Sequence, residues 1–125
     1  MNDALLRLVL LAIAAITTVS GLAQMVAPRF VLGMIGASTE PPAPHLFATV
    51  GMFMLITGAM FGQSLWQRSG ERAIPLWIGL QKLLAATLVA WGVGKGVFGA
   101  LALGVAGLDL LSGVLALVFL KRLPR

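Results

Sequence analysis

Two side chains able to exchange a proton lie inside otherwise apolar runs. Lys82 sits in the middle of PLWIGLQKLLAATLVAW, residues 75–91, and Asp109 lies in AGLDLLSG. The other acids, Asp3, Glu40 and Glu71, fall near segment ends. A lysine and a carboxylate in an apolar setting can form a proton or ion relay, or a counter-charge for a ligand. The same pair can also do no chemistry and simply fix the register of two helices, which is the expected role. Ser112, one helical turn past Asp109, would add a hydroxyl to the carboxylate. The single histidine, His45, follows PPAP. One imidazole can supply an axial ligand to haem or chlorophyll, although an interfacial polar residue near a helix start is the simpler reading. There is no cysteine, which removes disulfides, thiolate catalysis and cysteine-bound metals. No serine–histidine–acid set, carboxylate pair or metal cluster can be assembled, so the sequence predicts no enzyme, no metal and no resident cofactor.

The elements that carry these residues are set by hydropathy. The 125 residues are 59% hydrophobic and 10% charged, with a mean hydropathy of +1.00. Soluble domains carry about 25% charged residues. The apolar residues come in runs near the roughly twenty needed to cross a bilayer. Four spans follow, at residues 5–27, 45–66, 74–93 and 98–120. Lipid accepts only helices or closed barrels, and these runs lack strand alternation. The fold class is therefore all-α, a single domain forming a four-transmembrane-helix bundle. The first span resembles a leader in part, with Arg7 before an apolar stretch. Its apolar run is too long for one, and Asp3 precedes its basic residue, so a retained helix is expected.

Charge bias orients the bundle. Arg7, Arg68, Arg72, Lys121, Arg122 and Arg125 fall on one side, against only Arg29 and Lys95 on the other. Both termini are therefore expected in the cytoplasm. The net charge of +5 is scattered over segment ends, and no nucleic-acid motif accompanies it. Trp66, Trp77 and Trp91 fall near span ends, where indole rings settle. Between the first two spans, residues 30–35 suit a short interfacial segment or helix, and EPPAP suits a stiff extended spacer. GVGKGVFG reads as a tight turn, without the spacing or setting of a phosphate-binding loop.

Lys82 and Asp109 are equidistant in sequence from the centre of that turn, between residues 95 and 96, so they share a depth. The Lys82 face carries Gly79, Ala85, Ala86 and Val89. The Asp109 face carries Ala102, Val105, Ala106, Ser112, Gly113 and Ala116. Small residues let membrane helices approach closely. A lone charge at a helix centre costs roughly 2.5–3.5 kcal/mol on insertion scales, and pairing offsets part of that. In the second span, Gly51, Gly58 and Gly62 make a second smooth face. Opposite it, Met52, Phe53, Met60 and Phe61 form a face that suits lipid, with a quinone, pigment or lipid tail as the alternative occupant. Thr17, Thr18, Ser20 and Gln24 of the first span are expected to bond across helices or to the backbone.

The segments VAPRFVLGMIG, FATVGMFMLITGAMF and LDLLSGVLAL resemble the small bacterial four-helix membrane proteins related to DoxX. The resemblance implies a four-helix bundle and, in some members, association with a quinone-linked oxidoreductase. It carries over no catalytic residue. Two functions are expected to compete. One is a non-catalytic accessory subunit packed in a larger membrane complex or homo-oligomer. The other is a small carrier or binder of a hydrophobic or ionic ligand at Lys82 and Asp109.

Overall fold

Asn2 starts the first helix by accepting the Leu5 N–H on its side-chain oxygen at 2.7 Å. The computed structural model, which describes residues 1–125, continues from there as α1 (Asp3–Val26), α2 (Pro28–Met34), α3 (Ala43–Trp66), α4 (Ala73–Gly94) and α5 (Leu101–Arg122). All but α2 are long and apolar enough to cross a membrane, so the chain is a multi-pass helical membrane protein. Pro28 ends α1 because it has no N–H to offer, and its fixed φ opens α2 at the first position. In the short α2, Leu32 is buried and Phe30 faces outward.

The connections differ from expectation in two places. EPPAP is not an extended spacer. The Ala43 N–H donates to Glu40 O at 2.9 Å across a cis Pro41–Pro42 bond, closing a tight turn, and Pro44 already lies in the first turn of α3. The last helix starts at Leu101, three residues later than position 98. The cause is the turn before it. Gly96, at φ +76°, ends α4 in a Schellman motif: Val97 N–H donates to Gly92 O (2.8 Å) and Gly96 N–H to Val93 O (3.1 Å). Phe98 then packs its ring over Gly92, where a Cβ would meet it at 2.6 Å. The same motif closes α3, with Arg68 in the left-handed position at φ 52°.

The helices pack as two antiparallel pairs, α1 with α3 and α4 with α5, joined more sparsely through α1–α5 and α3–α4. Three layers follow along the bundle. At the end carrying both termini, Leu6, Leu10, Ile13, Phe61, Leu65, Ile78, Ala116 and Phe119 form the apolar core. Phe61 thus belongs to the core and not to an outward methionine–phenylalanine face, whereas Phe53 and Met60 do face outward. Arginines stitch this end. Arg7 donates to Leu65 O at 2.7 Å in the last turn of α3, and Arg72 to Leu123 O at 2.9 Å just past the end of α5. Arg122 joins the two ends of the chain, donating to Met1 O and to the Asp3 carboxylate.

A polar layer lies about halfway along the helices. At the far end, two backbone segments meet directly: Gly99 N–H donates to Ile35 O at 2.7 Å. A Cβ on Gly36 would lie 2.8 Å from Gly99 N. Here the connection after α2 is clamped to the α4–α5 turn.

Candidate functional site

Lys82 lies on the buried stripe of α4 formed by Pro75, Ile78, Gly79, Lys82 and Ala86, a helical spacing that faces one direction. What brings α5 close enough to reach it is a glycine pair one turn away. A Cβ on Gly79 would meet Leu117 at 2.8 Å, and one on Gly113 would meet Leu83 at 2.9 Å and Gly79 O at 3.0 Å. Each glycine receives a leucine from the opposite helix. Ala102, Ala106 and Ala116 continue the buried face of α5.

Within this close packing the Lys82 ammonium stands 3.4 Å from Asp109 Oδ1. It donates over a shorter distance, 2.7 Å, to Thr17 Oγ1 on α1. Lys82 is 8% exposed and Thr17 6%, while the Asp109 side chain retains 17%. The lysine therefore does more than span the α4–α5 seam. It ties α1 to that pair, through a residue the sequence gives only as one of four polar groups on the first span. Depth narrows the candidates on α1 to the middle of that helix, but which of its faces turns toward α4 is set only by the packing.

Ser112 is not part of this group. Its hydroxyl donates to Leu108 O, one turn back on its own helix, at 2.7 Å, so the carboxylate receives nothing from it. Thr18 likewise bonds its own helix at Ala14 O. Gln24 does bond across helices, its Nε2 donating to Met54 Sδ at 3.1 Å, and its buried Oε1 has no partner. His45 is exposed in the first turn of α3, where its backbone carbonyl accepts from Thr49. No three histidine or acidic side chains converge.

The glycines of α3 are consumed inside the chain. Gly51 opposes Gly21 of α1, where a Cβ on either would lie 2.5–2.6 Å from the other's carbonyl oxygen. Gly58 opposes Thr18, with a Cβ position 2.9 Å from the Thr18 N. Gly62 is looser, its Cβ position 3.5 Å from that of Ala14. Gly21, the partner glycine on α1, carries no sequence signal for packing until α3 is placed against it.

Comparison with known proteins adds no assignment: no protein-family model, curated protein or solved structure matches the chain. The chemistry of the site thus rests on its own geometry. One cation, one carboxylate and one hydroxyl meet at mid-depth on three different helices. Such a group can cross-link helices. Its one opening is Asp109, whose Oδ1 alone is engaged by Lys82.

Proposed function

We propose that the chain is a non-catalytic subunit of the bacterial cytoplasmic membrane, with both termini cytoplasmic. In this reading it packs against another transmembrane helix through the outward face of α5. One observation carries it. Gly104 and Gly107 lie on α5 with no atom of a neighbouring element within 4 Å of a Cβ at either position. A glycine inside a helix costs about 1 kcal/mol relative to alanine. At Gly21, Gly51, Gly79 and Gly113 a close helix approach explains it. Gly104 and Gly107 have no such reason within the chain. With the exposed Leu108 and Leu111 they repeat at helical spacing along one face, a notch that fits an incoming helix. The resemblance to DoxX-related proteins makes a quinone-linked assembly the first partner to test, with a second copy of this chain as the other.

The experiment is purification in a mild detergent with and without Gly104→Leu and Gly107→Leu together. The expected result is a stoichiometric partner, or a homo-oligomer, that the double variant loses while the helical content and melting temperature of the chain are kept or slightly raised. A complex unchanged by the substitutions would overturn the reading. A second reading, a binder of an ionic or hydrophobic ligand, is favoured by the partial exposure of Asp109 alone. It requires that Asp109→Asn change ligand retention while subunit composition stays the same.

A further inference from the structure

Two neighbouring concavities lie along α1 and have one lining residue in common. The first, about 450 Å³, is an apolar groove lined by Leu11, Ala14, Thr18, Gly58, Gly62 and Trp66 among others. The second, about 430 Å³, lies beside it at the end carrying both termini and is lined by Asp3, Arg7, Leu8, Leu11 and Arg68. Leu11 walls both. We propose that together they hold one anionic phospholipid, its phosphate between Arg7 and Arg68 and an acyl chain in the groove.

Charge complementarity picks this occupant. The one acid at the mouth, Asp3, is held by Arg122 at 3.1 Å, so neither Arg7 nor Arg68 is neutralised by a carboxylate. Arg7 is fixed in place by its bond to Leu65 O and by lying 5.3 Å from the centre of the Phe119 ring. A guanidinium has five N–H donors, so one bond to a carbonyl leaves others for a phosphate. Arg68 is exposed and occupies the left-handed position of the turn after α3. The corresponding positions after α2 and α4 are Gly36 and Gly96. An arginine at a position that glycine fills twice elsewhere has a use other than the turn. The groove above exists because small residues of α1 and α3 pair along it. Between Leu11 and Val19 it runs for two helical turns, about 12 Å, long and apolar enough for an acyl chain. A zwitterionic lipid would bring its choline toward the same two cations, which disfavours it.

The test is native mass spectrometry of the delipidated full chain in neutral detergent, titrated with phosphatidylglycerol or phosphatidylcholine of matched chains. One phosphatidylglycerol is expected to be retained, with an apparent affinity roughly tenfold above that of phosphatidylcholine. Arg68→Gly suits the turn it occupies, so its melting temperature should not fall, yet it should abolish most of that preference. Arg125→Gln, which removes the same charge from the exposed C-terminus, should leave the preference intact. Ala15→Leu with Ala59→Leu, both at exposed positions lining the groove, should weaken both lipids. Inorganic phosphate at equal concentration should displace neither. Equal retention of the two lipids, equal effects of the Arg68 and Arg125 substitutions, indifference to the filled groove, or displacement by phosphate would each overturn the proposal.

Discussion

At the scale of residues, the polar layer is decided by distances. Lys82 lies nearer to a neutral hydroxyl on α1 than to the carboxylate on α5, 2.7 against 3.4 Å. Its work is thus divided between two helices. Interhelical hydrogen bonds in membranes are worth about 0.6 kcal/mol on average and up to about 1.7, whereas a charge stranded without its partner costs more. Changing Lys82 or Asp109 singly to leucine is therefore expected to destabilise the protein by about 2–3 kcal/mol. The double change should recover most of that loss, and Thr17→Val alone should cost about 1 kcal/mol. Unfolding in mixed micelles measures all four variants, and a double variant no more stable than the singles would show that the two charges do not act as a pair. The Lys82–Asp109 meeting was legible in the sequence because a short turn joins their helices and fixes a common depth. Thr17 was not, because nothing local determines which face of α1 turns toward α4. Ser112 misleads for a related reason: a serine in a helix has its own preceding carbonyl within reach, and here it takes that partner.

At the scale of elements, spans could be read from hydropathy to within a few residues because lipid demands long continuous helices. What hydropathy leaves open is which glycines matter. Gly51, Gly58 and Gly62 look equivalent at their spacing, yet the structure separates them. Gly51 faces the Gly21 carbonyl, and Gly58 faces the Thr18 backbone, while Gly62 meets only the methyl of Ala14 at ordinary contact distance. A backbone cannot yield as a side chain can, so the helices would have to separate to admit a Cβ at the first two positions. Gly51→Ala and Gly58→Ala should each destabilise by roughly 1–3 kcal/mol through overpacking. Gly62→Ala should be neutral or stabilise by up to about 1 kcal/mol, the helix preference of alanine over glycine. Thermal unfolding of the three variants in one detergent checks the ranking. If Gly62→Ala proved as damaging as Gly51→Ala, the α1–α3 contact would have to lie elsewhere on α3. The EPPAP turn escapes sequence reading for another reason, since proline fixes φ but leaves the choice of turn to the flanking chain.

At the scale of the whole molecule, the bundle is two tight helix pairs with fewer contacts between them. Between the pairs run the core at the end carrying the termini, the Lys82–Thr17 bond at mid-depth and the Gly99–Ile35 backbone bond at the far end. Each pair has its own close glycine contact, Gly21 with Gly51 and Gly79 with Gly113, so each has the means to form before the two dock. The single crossing between pairs at the other end is residues 67–72, in which Gly70 has nothing within 4 Å of a Cβ position. Membrane helices that are independently stable can associate without a covalent link when their packing surfaces are intact. A chain cut after Gly70 and expressed as two pieces is therefore expected to reassemble, each piece bringing down the other in detergent. Lys82→Met should weaken that recovery severalfold by removing the mid-depth tie, at about 1 kcal/mol for one interhelical bond. Gly36→Leu should weaken it further, because a side chain there, at φ +69° and 2.8 Å from Gly99 N, forces the far-end connections apart. Recovery that ignores both substitutions would mean that the contacts at the end carrying the termini, the apolar core and the Arg122 bonds to Met1 and Asp3, join the pairs by themselves. Graded loss would place the lysine among the devices that dock one half of the bundle onto the other.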